Sequence, residues 1–306
     1  MGKIAFLFSG QGAQKPGMGS AFYGENPRVR ALFDRAEALR PGTLDMMFSG
    51  DETELRKTVN TQPCLYLADL AAAMVMADLG VQPDGVAGFS LGELAALAFA
   101  GAYTGEAGFR LVCSRGKRMD AAAHEVEASM AVIVKLDNQT IEALCARFKE
   151  VYPVNYNAPG QLAISGVPSE MKKLSQAARE AGGRMIPLNV SGGFHSPFMD
   201  SAAQGFAEEL EQTAFQKLAL PVYANYTGRP YGDDIPSLLK EQMNHPVKWE
   251  DTIRAMAADG YDTFVETGCG NVLQKLVEKI LPEAKVFAVS NMDQAKQTAE
   301  ELKAHA

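Results

Sequence analysis

Gly88-Phe89-Ser90-Leu91-Gly92 sets a serine midway between two glycines. The apolar pair Val86-Ala87 precedes it, and the helix-forming run Glu93 to Ala100, closed by Gly101, follows. A G-x-S-x-G set between a strand and a helix meets the context required of a nucleophile elbow. The sharp turn forces the central residue into an unfavourable backbone conformation, and small residues two positions away let the chain fold back on itself. The serine Oγ then stands clear of the backbone at the positive end of the following helix, and the Leu91 amide is left free to stabilise an oxyanion. The chemistry expected is a covalent acyl-enzyme on Ser90. The same five residues also suit an ordinary loop, and it is the strand before and helix after that favour the elbow.

A serine hydroxyl is a weak nucleophile and needs a base within hydrogen-bond reach. The chain has 4 histidines. His195, in Ser191-Gly192-Gly193-Phe194-His195-Ser196-Pro197-Phe198, follows a strand and precedes a helix, on a loop where Gly-Gly permits close backbone approach. It is the first candidate, against the plainer reading of a histidine that caps or packs near a helix start. His245 is fixed by the following Pro246 and ranks second. His124 sits in a polar junction and His305 in the tail, both read as solvated.

Two further groups could serve such a serine. Gly10-Gln11-Gly12 follows the first strand, where a glycine-flanked turn can present the Gln11 amide at the strand ends used for ligands in open α/β sheets; a plain strand-to-loop turn is the simpler reading. It is no dinucleotide loop, since G-x-G-x-x-G fails at Lys15. Arg115 follows Leu111 by four in the helical run Gly108 to Met119 and shares its inward face. An inward arginine needs an anionic partner, and its planar fork suits a substrate carboxylate. Lys117 and Arg118 read as a solvated basic face.

Short apolar strands alternating with longer helical patterns must position these groups, which predicts an α/β fold. Strands are expected at 3–8, 85–89, 221–225, 263–266 and 286–289. Helices are expected near 28–40, 63–80, 92–100, 105–123, 198–212, 235–241, 249–259 and 271–281, with a helix-forming charged tail from Asn291 to Ala306. Between them the order changes. A strand (130–136), a helix (138–149), two strands (151–157 and 161–166) joined by Ala158-Pro159-Gly160, a helix (169–181) and a strand (184–190) give β-α-β-β-α-β, the ferredoxin-like pattern. The expected organisation is a discontinuous catalytic core, 1–127 and 191–306, with an inserted subdomain at 128–190.

At 306 residues the chain has room for one large domain or two, with a sizeable core. A net charge of −8 argues against nucleic acid as the main partner. Cys64, Cys113, Cys145 and Cys269 are scattered without a C-x-x-C pair, as in a reduced cytoplasmic protein with neither metal site nor disulfide framework. The apolar stretch from Leu65 to Val81 is broken by Asp69 and Asp78, which makes it a buried helix rather than a membrane span. A monomer is the simplest reading.

Together these motifs resemble the malonyl-CoA:acyl-carrier-protein transacylases of fatty acid and polyketide synthesis, and the resemblance spans essentially the whole chain. It is carried by Phe8-Ser9-Gly10-Gln11-Gly12-Ala13-Gln14, Thr61-Gln62-Pro63, Gly88-Phe89-Ser90-Leu91-Gly92-Glu93, Arg115-Gly116-Lys117-Arg118-Met119, Asn155 to Gln161, Gly193-Phe194-His195-Ser196 and Asn244 to Trp249, in the family's order. The resemblance implies a hydrolase-like parallel-sheet core with an inserted ferredoxin-like subdomain. It implies Ser90 as nucleophile, His195 as base, the amides of Gln11 and Leu91 as oxyanion hole, and Arg115 as the clamp for the malonyl carboxylate. Gln62 and Asn157 would line the site, and the main chain of Lys248 would orient the histidine. Phe194 beside the base would crowd a branch on the malonyl α-carbon.

No metal or other cofactor is implied. The substrate is malonyl-CoA and the partner an acidic acyl carrier protein bearing phosphopantetheine, for which Lys117, Arg118, Lys172 and Lys173 are candidate contacts. Phe89 stands where the family usually has histidine, and Cys269 replaces the proline of its Glu-x-Gly-Pro-Gly turn. Supply of fatty acid synthesis is the expected role, with a free-standing acyltransferase serving a polyketide synthase as the alternative; other competing readings are a serine thioesterase or esterase, disfavoured because the only late histidine is His305, and a non-catalytic scaffold, disfavoured by the intact Ser90, His195 and Arg115.

Overall fold

Runs of apolar residues ended by Gly, Asp or Ser form the strands, and helices fill the stretches between them. The computed structural model describes residues 2–304. In chain order the strands are β1 (Lys3–Phe8), β2 (Gly85–Gly88), β3 (Ser129–Val134), β4 (Val151–Ala158), β5 (Gln161–Gly166), β6 (Arg184–Pro187), β7 (Val222–Ala224), β8 (Arg229–Pro230), β9 (Tyr261–Thr267) and β10 (Lys285–Val289). They make two sheets. The larger runs β10-β9-β1-β2-β7-β8 and is parallel apart from β8, while the smaller runs β4-β5-β3-β6 and is antiparallel throughout.

The parallel register matters for function. Phe8 stands opposite both Gly88 and Thr267, so β1, β2 and β9 end at one edge of the sheet. The loops that follow them, carrying Gln11, Ser90 and Gly268, therefore emerge side by side, at the strand ends where α/β sheets take ligands. Helices sandwich this sheet. The 21-residue helix Thr58–Asp78 is buried nearly all round, as its almost uniform apolar composition requires. It packs against the helix Gly105–Ala123, whose inward face is Gly108, Leu111, Val112, Arg115, Gly116 and Met119. Small residues set that spacing: a Cβ on Gly108 would lie 2.1 Å from the Tyr66 hydroxyl.

The smaller sheet buries Ile133, Leu162 and Ile164 against Ile141, Leu144, Leu174 and Ala178 of its two helices, Asn138–Cys145 and Pro168–Glu180. Its strand order is that of a ferredoxin-like βαββαβ unit. It is tied to the main body at Val247, whose amide donates to the Val154 carbonyl (2.8 Å) and whose carbonyl accepts from Tyr156 N–H (2.9 Å).

Several boundaries differ from expectation. The long helix starts at Thr58 and carries Pro63 inside it, because the Thr61 hydroxyl and buried neighbours anchor the extra turn. The helix after β3 stops at Cys145, and β6 stops at Pro187. Short helices at Ser20–Glu25, Thr43–Ser49 and Glu52–Leu55 carry too little periodicity to be read from sequence. His305 lies outside the described residues; the tail helix is Met292–Ala304. Among the described residues no helix is long and apolar enough to cross a membrane, and no cluster of candidate metal ligands is present.

Candidate functional site

Ser90 closes β2 and caps the helix Leu91–Phe99 with φ 54° and ψ −104°, a conformation that L-residues rarely adopt. The glycines explain how the turn is possible. A Cβ on Gly88 would lie 1.9 Å from the Gly92 carbonyl carbon, and one on Gly92 would lie 2.1 Å from the Phe8 carbonyl oxygen. The elbow thus has the chain pressed on itself and against the end of β1.

Buried hydrogen bonds hold that strain. The Ser90 N–H donates to Asn225 Oδ1 (2.6 Å), and Asn225 Nδ2 donates back to the Gly88 carbonyl (2.6 Å). The Ser90 carbonyl accepts from Gln242 Nε2 (2.7 Å). Asn225 sits just past β7, the strand beside β2, so sheet pairing places it there.

His195 reaches the serine from the opposite side, with Nε2 2.7 Å from Ser90 Oγ. Its Nδ1 lies 2.8 Å from the Gln242 carbonyl oxygen. A carbonyl only accepts, so Nδ1 carries the proton and Nε2 is free to take one from Ser90. Burial, then the Arg115 charge, push the imidazole pKa down to about 3, so it is neutral at ordinary pH. This corrects the expectation for Lys248. The Gln242 carbonyl belongs to the last turn of the helix Ile235–Asn244, where carbonyls lack helical partners. The Lys248 carbonyl instead starts the next helix, accepting from Thr252 N–H (2.9 Å).

Arg115 is 1 % exposed and aimed at the nucleophile. Its NH2 donates to Ser90 Oγ (3.2 Å) and Gln242 Oε1 (2.7 Å), its NH1 donates to Gln62 Oε1 (3.0 Å), and its Nε has no partner among the described residues. Burial lowers its pKa to about 10, which leaves it charged at neutral pH. A buried cation with an idle N–H beside a nucleophile is equipped to bind an anionic group on the substrate. Gln62 therefore touches the arginine rather than the cleft; its Nε2 lies 3.3 Å from Met119 Sδ.

Two amides complete the set. Leu91 N–H opens the helix after Ser90, and Gln11 N–H lies in the loop after β1; neither donates to any partner among the described residues. That loop abuts the elbow, since a Cβ on Gly10 would come 2.7 Å from the Phe89 carbonyl oxygen. Free backbone donors near a nucleophile are what an oxyanion hole requires.

A cleft of about 260 Å³ opens beside them, between the main sheet edge and the smaller sheet. Gln11 and Phe89 form one wall and Asn155, Asn157 and Gln161 the other, with Leu188 and Val272 at its apolar side. Phe89 packs edge-on to Trp249 with ring centroids 5.4 Å apart, which makes the family's usual histidine position an apolar wall. Phe194, next to the base, is 5 % exposed and packs in the main core. A larger surface groove of about 680 Å³, lined by Tyr103, Arg110 and Gln212, contains none of the reactive groups.

The other candidates fall away from the centre. His245 Nδ1 faces the Glu241 carbonyl (3.0 Å) and Asn244 Oδ1 (2.9 Å), not Ser90. Cys269 is buried and its thiol is pushed up to about 12, so it is inert at neutral pH. Arg118 pairs with Glu209 (2.8 Å) and Lys173 with Glu170 (2.5 Å), while Lys117 and Lys172 are exposed.

With this geometry in place, the comparison with known proteins is specific. The acyl transferase domain model matches residues 5–301. The chain belongs to the acyl transferase family. This acyl transferase is 37% identical to the malonyl CoA-acyl carrier protein transacylase of Bacillus subtilis (strain 168), across 99% of this chain and 98% of that one. It superposes on the crystal structure of the malonyl CoA-acyl carrier protein transacylase of Clostridium perfringens with a TM-score of 0.95 at 33% identity, covering 99% of this chain and 98% of the other. A malonyl-transacylase solved in complex with a type II PKS acyl-carrier protein matches with a TM-score of 0.93 at 33% identity over 98% of this chain and 99% of that one.

Proposed function

We propose that this acyl transferase moves the malonyl group of malonyl-CoA to the phosphopantetheine thiol of an acyl carrier protein through a malonyl ester on Ser90. The observation that carries the reading is the buried Arg115, which points at a serine already engaged by a neutral histidine. Ser90 Oγ attacks the thioester carbonyl while its proton passes to His195 Nε2. The tetrahedral oxyanion accepts from the Gln11 and Leu91 amides; a single donor of this kind contributes about 3 kcal/mol in serine enzymes. The imidazolium, steadied by the Gln242 carbonyl, returns the proton to the departing CoA sulfur. The carrier thiol then enters and the steps reverse.

Arg115 would hold the free carboxylate, with Gln62 and Gln242 fixing its fork. The cleft, with Asn157 on its wall, suits the amide-bearing pantetheine arm. Phe194 would set the room available beside the base. The chemistry asks for no metal or redox group, since one thioester replaces another. Relatives named malonyl CoA-acyl carrier protein transacylase include one named for polyketide biosynthesis. For this chain the proposal is supply to fatty acid synthesis in the cytoplasm.

The test is transfer to holo-acyl carrier protein from malonyl-, methylmalonyl- and acetyl-CoA, with wild type and Arg115→Ala. Malonyl-CoA should lead strongly in wild type, and Arg115→Ala should lose malonyl transfer while changing acetyl transfer far less. Equal use of acetyl-CoA by the wild type would refute the carboxylate clamp. Hydrolysis in place of transfer would refute the acceptor.

A further inference from the structure

Glu93 lies three residues after the nucleophile, on the helix Leu91–Phe99, and is 0 % exposed. Both carboxylate oxygens are occupied. Oε2 accepts from Gln242 Nε2 (2.9 Å) and from Asn225 N–H (3.2 Å), and Oε1 accepts from the Tyr231 hydroxyl. The two donors on Oε2 are the residues that grip the reacting groups. Gln242 holds the Ser90 carbonyl, Arg115 and, through its main chain, His195. Asn225 holds the Ser90 amide and the Gly88 carbonyl.

The ionisable groups around Glu93 are Arg115, Tyr231 and Tyr103, and Arg115 is the only cation among them. Burial raises the Glu93 pKa to about 7, and the three hydrogen bonds and Arg115 oppose that rise. A buried carboxylate needs a counter-charge, and so does a buried guanidinium. The Gln242 side chain links the two, donating to Glu93 Oε2 and accepting from Arg115.

We propose that Glu93 is the positioning residue of this site: its carboxylate gathers Gln242 and Asn225 around Ser90, and it is the buried anion that faces Arg115 across the Gln242 side chain, to which the carboxylate of the acyl donor adds a second. The inference rests on the malonyl-transfer reading. Its consequence follows from linkage. A second anion brought to Arg115 repels the first, so Glu93 takes a proton from solvent when the donor binds. Binding of a carboxylated donor therefore tightens as pH falls from 8 to 6, and binding of acetyl-CoA does not.

Two variants separate the roles. Glu93→Gln keeps an acceptor for Asn225 and Gln242 and can donate to the Tyr231 oxygen, but it carries no charge. It should keep the single-turnover acylation rate near wild type, lower the KM for malonyl-CoA by about fivefold at pH 8, corresponding to one pKa unit of coupling, and abolish the pH dependence of that KM. Glu93→Ala loses the hydrogen bonds as well and should slow acylation by about 100-fold, as a small misplacement of reacting groups does. A Glu93→Gln enzyme whose malonyl-CoA KM and its pH dependence match wild type would overturn the role of the charge. An Ala variant with a wild-type acylation rate would overturn the positioning role. If that variant does not fold, a Glu93→Gln enzyme that acylates slowly although its acceptor is kept would overturn it instead. Failure of the wild type itself to acylate would overturn the malonyl-transfer reading.

Discussion

The elbow around Ser90 and the cleft beside it use their polar groups differently. At the elbow, the amide, carbonyl and hydroxyl of Ser90 all have protein partners: Asn225, Gln242, His195 and Arg115. In the cleft, Asn155 Oδ1 from the smaller sheet and Glu266 Oε1 from the main sheet are buried with no partner among the described residues. Buried polar groups are ordinarily satisfied, so a concentration of satisfied ones around a strained residue marks a preorganised reaction centre. Unsatisfied ones facing a cleft mark a surface that substrate or water completes. The elbow is built for bond-making and the cleft for recognition.

The reaction centre is most vulnerable at the elbow. Gly88→Ala places a methyl 1.9 Å from backbone that cannot move without dismantling the β1–β2 edge. It should cost more than about 3 kcal/mol, beyond ordinary overpacking, in urea unfolding. A variant as stable as wild type would show that the turn is looser than its contacts imply.

Next in size is Asn225→Ala, which removes a bridge between the Ser90 amide and the Gly88 carbonyl. The acylation rate should fall about 100-fold with little change in KM. A KM effect alone would place Asn225 with the cleft. In the cleft, Asn155→Ala should raise the KM for malonyl-CoA about three- to tenfold, the worth of one hydrogen bond, and leave the acylation rate near wild type.

The smallest expected effect is an absence of change. His195 must be neutral to act as base, and it is neutral above its pKa, held near 3. The acylation rate at saturating malonyl-CoA should therefore stay flat from pH 8 down to 5. A fall centred near the ordinary histidine value would mean that the base is better solvated than its surroundings imply.

Much of the reaction centre is legible in the sequence because its signals are local. Gly-x-Ser-x-Gly between a strand and a helix announces an elbow, and the four-residue spacing from Leu111 turns Arg115 inward. The βαββαβ order likewise survives in the alternation of short apolar runs. The groups that hold the centre together are not legible. Gln242 sits on an amphipathic helix and Asn225 at a strand end, 152 and 135 residues from Ser90, and no spacing connects them to it. The orienting carbonyl, expected at Lys248 and found at Gln242, escapes the sequence for a related reason. Any residue supplies a carbonyl, so only the path of the chain decides which one meets His195.

That Ser90 carries the acyl group can be read from intact-protein mass spectrometry after brief exposure to malonyl-CoA. The wild type should carry a malonyl-mass adduct that is weak with acetyl-CoA, absent in Ser90→Ala, and discharged by holo-acyl carrier protein. An adduct that persists in Ser90→Ala, or CoA release with no adduct at any time, would contradict acylation at Ser90.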